Sequence, residues 1–386
     1  MLLVCLVLFK FSTLTHNVDR MANSAELNRH VGIEAPSGPV PKPHLGEPFG
    51  PGLDPSARCE IERVLPIKGS KLVEARHYGR SLWGQTAKIT AQLPNGSLRD
   101  YFLKTASAGS LGVTAKRMII AEISGLNAIR SVSPTFVPEA HGWGSYHDPT
   151  TKSTSYFLLA SFHEIGLQPP APHAFVAQLA HLHKTSASPT GKFGFHEPPC
   201  HATTPYDVIK WQSSWSALFR DILAYTVFLS QRQNEGHGSY EEFERISDLI
   251  LEKVIPRLLC PLEGKIKPCL IHGDLWDENS ATDAVTGKPF VFDPMAFYAH
   301  NEYEIGNWRA ARHRLSRKEY VDEYKRCFPP DEPVEEWDDR NLLYSLRYDL
   351  SASVLIPGSN LRSVVRDNMW TLCNKYFPED LTAIAA

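Results

Sequence analysis

Near Phe162 the chain changes period, and that change constrains its fold more than any other feature. Before it, residues 71–77, 82–93 and 98–104 alternate apolar and polar side chains as half-buried strands do. Pro94-Asn95-Gly96 between the last two is a hairpin turn signal. A short helix-like stretch at 57–65 precedes them. Residues 115–130 then place Met118, Ile119, Ile123, Leu126 and Ile129 at helical spacing, and strand-like runs return at 139–146 and 155–160. Beyond residue 163 the period is almost wholly helical, at 175–185, 206–228, 241–259, 318–327, 341–354 and 361–376. The expected class is α+β: a small antiparallel-sheet N-lobe over 56–162, interrupted by one helix, then a larger, mainly helical C-lobe over 163–386.

Ahead of this unit, residues 35–56 are crowded with proline and glycine, which resist helix and sheet alike. Residues 1–55 therefore read as an extended or disordered tail. The apolar run from Met1 to Phe9 is too short to span a bilayer, lacks a preceding basic residue, and is followed by no clear small-residue cleavage site. Met21 opens a polar stretch and reads as the true start, with residues 1–20 a start assigned too far upstream; a secretory signal is the alternative. The seven cysteines are scattered, odd in number and form no Cys-x-x-Cys pair, which argues for reduced thiols in the cytoplasm rather than a disulfide framework or a zinc site. A formal charge of −3 and the lack of a basic stripe with interleaved aromatics argue against nucleic acid as a partner, and no segment argues for a membrane. Oligomeric state leaves no mark.

Within the helical half, only two short apolar runs interrupt the pattern, 268–271 and 290–292, and they flank His272-Gly-Asp-Leu-Trp-Asp-Glu-Asn279. Asp274 with Asn279 five residues on has the spacing of a kinase catalytic loop, where the aspartate receives the proton of the acceptor hydroxyl and the asparagine oxygen holds Mg²⁺. After a turn at Thr286-Gly-Lys, the next run ends in Phe292-Asp293-Pro294, a second carboxylate suited to Mg²⁺, which prefers oxygen ligands. Taken alone the Asp–Asn pair is weak, but the whole order of apolar run, His-Gly-Asp, Asn, apolar run, Asp is specific; a hairpin whose polar residues merely cap turns is the bland alternative.

In the N-lobe, Tyr101-Phe-Leu-Lys104 ends a strand in a lysine, and the following helix carries Glu122. Kinases use such a pair to hold the lysine against the nucleotide phosphates, whereas the bland reading is two solvated charges. The segment Gly79-Arg-Ser-Leu-Trp-Gly84 lacks the Gly-x-Gly-x-x-Gly pattern, so Gly84 marks either a phosphate-covering turn over ATP or a plain hairpin. By analogy with kinases, adenine would lie beside Ala160 and Phe162. His181 and His183 sit two apart on different helix faces, and Trp211 and Trp215 sit four apart; both pairs read as structural.

His272-Gly-Asp-Leu-Trp-Asp-Glu-Asn279 resembles the His-Gly-Asp-Leu-Trp-x-x-Asn signature of the fructosamine (ketosamine) kinases, relatives of aminoglycoside phosphotransferases and choline kinases. The similarity extends through Phe292–Glu304, Lys192-Phe-Gly-Phe195 and Leu179–His183, covers roughly 60–375, and looks most like the fungal branch. It implies a protein-kinase-like two-lobed fold and ATP-dependent phosphorylation of the sugar 3-hydroxyl of ketosamines, free or protein-bound, after which the adduct sheds its sugar. It also implies Asp274 as base, Asn279 and Asp293 as Mg²⁺ ligands, Lys104 with Glu122 as phosphate anchor, and Trp276, Tyr298, His300 and Glu302 on the substrate side. The chain departs from the family at Asp277-Glu278, whose two charges either favour an amine-bearing substrate or, as read here, are solvated, and at Pro199-Cys200-His201. These departures keep open an aminoglycoside- or choline-type acceptor, while the atypical phosphate loop keeps open a pseudokinase that binds nucleotide without turnover.

Overall fold

The computed structural model describes residues 53–385 apart from Arg80, Leu82, Thr150, Thr151 and 236–239, so nearly all of the expected tail lies outside the described residues. Helix α1 (Pro55–Val64) opens where Asp54 Oδ1 accepts from the N–H groups of Ser56 (2.6 Å) and Ala57 (3.2 Å), with Pro55 at a position that needs no N–H. Strands β1 (Lys71–His77), β2 (Gln85–Gln92), β3 (Leu98–Ser107), β4 (Ala140–Asp148) and β5 (Ser153–Ser161) form one antiparallel sheet in the order β1-β2-β3-β5-β4. The Pro94-Asn95-Gly96 signal makes the β2–β3 hairpin, with Gln92 opposite Leu98 and Asn95 Oδ1 accepting from the Ser97 N–H.

Helix α2 (Thr114–Val132) follows β3 and crosses the sheet. Its buried residues, Ile119, Ile123, Leu126 and Ile129, belong to the same apolar core as the helices that follow, together with Leu158 of β5. A smaller core on the other side of the sheet joins Ile61, Leu72, Ile89, Leu103 and Leu159. The sheet is thus packed on both faces, and α2 ties it to the helical part.

The helical part comprises α3 (Pro172–Thr185), the hairpin β6 (Cys200–His201) and β7 (Thr204–Pro205), α4 (Trp215–Gln233), and α5 (Tyr240–Leu249) running through a π turn (Ile250–Val254) into α6 (Ile255–Leu259). Short strands β8 (Cys269–Ile271), β9 (Ser280–Thr282), β10 (Pro289–Val291) and β11 (Phe297–Ala299) come next, then α7 (Asn301–Glu304), α8 (Lys318–Cys327), α9 (Trp337–Leu355), α10 (Leu361–Tyr376) and α11 (Pro378–Ala385). One expected helix is shortened, and the hairpin alternative for the His-Gly-Asp segment is not formed. Helix is absent from 206–214, because Ser214 caps α4 by accepting from the Ala217 N–H at 3.0 Å. The apolar runs flanking the His-Gly-Asp motif do not pair with each other: β8 pairs with β11, and β9 with β10. Strands β8 and β10 are buried along their whole length, but each has its own partner.

Candidate active site

Strand β3 and helix α2 bring the expected cation and carboxylate together. Lys104 Nζ lies 2.7 Å from Glu122 Oε2 and 2.6 Å from Asp293 Oδ1, a residue 189 positions away. Both Lys104 and Glu122 are buried, so each charge needs the other. Burial alone would lower the lysine pKa, but Asp293 and Glu122 outweigh it and hold Lys104 protonated; burial pushes Glu122 up. Asp293 is 48% exposed and stands at φ +60°, a strained value for a residue with a side chain.

The loop after β8 is built from its backbone outward. Glu304, fully buried, accepts from the N–H groups of His272 and Gly273, and the His272 ring contacts the Phe292 carbonyl at 3.0 Å. Gly273 has φ +79°, and a Cβ there would lie 2.2 Å from the Met295 carbonyl oxygen, so only glycine fits between the two segments. Asn279 Nδ2 donates to the Asp274 carbonyl (2.8 Å) and to Asp274 Oδ2 (3.0 Å). This commits the amide nitrogen and leaves Asn279 Oδ1 as the atom free to meet a cation. Asp274 Oδ1 faces His201 Nε2 at 3.4 Å, across the tip of the β6–β7 hairpin.

Two cavities meet at this point. One lies beneath the sheet, bounded by Tyr78, Phe102, Ala160, His163 and Phe290 among others. The second is bounded by Asp274, Trp276, His201, Arg312, His313 and the α9 residue Tyr348 among others. Ser81, Lys104, Glu122, Asn279 and Asp293 border both, whereas Asp274 borders only the second. The two cavities thus share one polar junction.

Not every expected residue reaches the junction. Gly84 borders neither cavity; a Cβ there would lie 2.1 Å from the Thr105 carbonyl oxygen, so strand approach accounts for that glycine. The Phe162 ring packs against Tyr78 and under Lys88 instead of lining the first cavity. Tyr298, His300 and Glu302, read as substrate-facing, point into the core. Tyr298 packs on Trp211 and Phe195. His300 is fully buried between the Tyr344 hydroxyl (2.9 Å) and Asp331 (2.8 Å), and Glu302 makes a two-point pair with Arg340 at 2.7 and 2.9 Å. His300, Glu302 and Asp331 lie close enough to hold a metal, but these bonds already occupy them.

The reading of Asp277 also changes. It is buried and accepts from the N–H groups of Arg314 (2.5 Å) and Leu315 (3.1 Å), fixing the loop that presents Arg312 and His313; burial raises its pKa against those bonds. Sequence reasoning missed Arg312 and Glu304, and it flagged His201 only as a departure. His183 takes the structural role expected of it, bonding the Tyr324 hydroxyl at 2.7 Å, and the Trp215 indole N–H donates to Tyr344 at 2.8 Å.

A five-stranded antiparallel lobe over a helical one, with a lysine–glutamate pair and a His-Gly-Asp loop at a two-cavity junction, defines a phosphotransferase of the protein-kinase-like fold. The fructosamine kinase family model matches residues 79–370, and the chain belongs to that family of ATP-dependent phosphotransferases. Relatives include the chloroplastic protein-ribulosamine 3-kinase of Oryza sativa subsp. indica, 28% identical over 68% of this chain and 73% of that protein. Mouse ketosamine-3-kinase is 30% identical over 50% of this chain and 64% of its own length. Among solved structures, a Haemophilus somnus protein assigned as a fructosamine-3-kinase superposes with a TM-score of 0.64 at 18% identity, over 81% of this chain and 97% of that one. An aminoglycoside phosphotransferase bound to AMP-PNP and hygromycin B reaches a TM-score of 0.50 at 15% identity, covering 81% and 97% of the two chains. At these identities the structural matches speak to the fold. No helix among the described residues is long and apolar enough to cross a membrane.

Proposed function

We propose that this chain phosphorylates the sugar 3-hydroxyl of ketosamines, with the first cavity receiving ATP and the second the acceptor. The observation that carries this reading is the shared junction: Lys104, Glu122, Asn279 and Asp293 face both cavities, and Asp274 faces the acceptor side alone. Asp274 would act as base, held by Asn279 on one oxygen and faced by His201 on the other. The acceptor oxygen attacks the γ-phosphorus, the bond to the bridging oxygen breaks, ADP leaves, and the hydroxyl proton passes to Asp274. Lys104, braced by Glu122, would anchor the phosphates, with adenine beneath the sheet beside Ala160.

The donor set also fits Mg²⁺. Asp293 offers a half-exposed carboxylate and Asn279 an uncommitted carbonyl oxygen, both hard ligands, and the cation would neutralise charge developing on the phosphates. The names of the rice and mouse relatives support a ketosamine acceptor, and phosphorylation of that sugar would release the amine from glycation. We place the chain in a reducing compartment, cytosolic in the simplest case, in keeping with six free cysteines among the described residues.

An acceptor panel tests the reading. ADP release above the no-acceptor background is expected with fructosyl- and ribulosyl-amines and not with choline or hygromycin B. Release driven by choline or hygromycin alone would retain the kinase and remove the ketosamine; no release with any acceptor would favour a pseudokinase.

A further inference from the structure

The acceptor cavity has a cation in its wall that transfer to a hydroxyl does not itself require. Arg312 borders it, and its side chain is only 9% exposed. Its neighbour Asp349 on α9 lies 2.7 Å away and is equally buried, yet Asp349 Oδ1 has no hydrogen-bond partner. The two are in ion-pair contact without a hydrogen bond, and no other residue among those described pairs with the Arg312 guanidinium. Arg312 thus stands in the cavity wall beside a single carboxylate, while Asp274 supplies negative charge at the junction. A guanidinium presents five donors in a planar fork, and a planar anion with two oxygens is the group that fork fits best. Beside Arg312 the wall turns apolar, formed by Met118, Ala352, Leu355 and Ile356.

We propose that the preferred acceptor is the ketosamine of a free α-amino acid with an apolar side chain, whose carboxylate is bound by Arg312. The inference rests on the ketosamine reading and narrows it. In such a molecule the sugar hydroxyl and secondary ammonium lie toward Asp274, the carboxylate sits one carbon beyond the nitrogen, and the side chain meets the apolar wall. A sugar on a lysine side chain of a protein carries no carboxylate at that position. A site built around a charged hydrogen bond discriminates strongly against an analogue that lacks the group.

The test compares N-fructosyl-leucine with N-fructosyl-3-methylbutylamine, which differs by the carboxylate alone, using the full chain and Mg-ATP. The native chain is expected to favour the leucine adduct in kcat/KM by at least about tenfold, the scale of one charge-assisted hydrogen bond. Arg312→Gln should bring the two acceptors within about twofold of each other, and leave the KM for ATP in place. Arg312→Lys, which keeps the charge but not the fork, should fall between, and serves if the glutamine variant does not fold. Equal kcat/KM for both acceptors in the native chain overturns the inference and leaves the ketosamine reading standing. So does an Arg312→Gln effect confined to the KM for ATP. Turnover of neither acceptor overturns both.

Discussion

Residues 272–293 and 298–304 lie close in sequence and both carry conspicuous polar side chains, yet only the first brings carboxylates to the cavities. In the first segment Asp274 and Asp293 open onto the cavities, with side chains 20% and 48% exposed. In the second, His300 and Glu302 are at 0% and 2%, and their polar atoms are bound to Tyr344, Asp331 and Arg340. Glu304 joins the two by holding the His272–Gly273 backbone. A conspicuous motif therefore contains both the groups that meet a substrate and the groups that hold them. Burial with a full set of partners separates one from the other.

Substitutions can break or sharpen that contrast. The largest effect is expected from Asp274→Ala: turnover measured by ADP release should fall roughly 10²–10⁴-fold, with the melting temperature unmoved, because the side chain is partly exposed and replaces no core packing. Glu302→Ala should do the reverse. Stranding Arg340 in the core should cost about 3–5 kcal/mol in denaturant unfolding, while KM in the remaining folded fraction holds. Loss of turnover without loss of stability at Glu302 would break the contrast. Asp277→Ala lies between, since it unties the Arg314 and Leu315 N–H groups: about 1–3 kcal/mol of stability should be lost, and acceptor KM should rise through the displaced Arg312 loop.

The smallest effect concerns pH. Burial first, and the Arg312 charge second, hold the His313 pKa well below its ordinary 6.5. The unfolded chain then binds the proton more tightly, so this contribution to stability is full above about 6.5 and is lost as pH falls toward the folded value. Melting temperatures recorded from pH 7 down to 5.5 should decline less steeply for His313→Gln than for the native chain. Parallel declines would remove His313 as a source of acid sensitivity.

The fold was legible because its periods are clean. Residues 71–77, 318–327 and 361–376 form their elements with the expected ends, since alternation and helical spacing there agree with what the sheet and the helical core bury. The junction was legible because its chemistry is local: Asp274 and Asn279 share one loop, and the Lys104–Glu122 pair follows from one strand and the next helix. Other parts were not. His201 and Arg312 come from a two-residue-strand hairpin and an irregular loop, segments with no period to read, and only packing carries them to the cavity. His300 and Glu302 misled for the opposite reason, because charged groups paired with a distant Tyr344 or Arg340 look in sequence like groups awaiting a ligand.

The most direct test of the central claim is to identify the phosphorylated product. After the full chain has acted on a small fructosyl-amine with Mg-ATP, a ³¹P–¹H correlation spectrum should couple the new phosphorus to the sugar carbon-3 proton. The product should be missing when Asp274→Ala replaces the native chain. Phosphate attached elsewhere on the acceptor, or product formed equally well without the Asp274 carboxylate, would contradict the account.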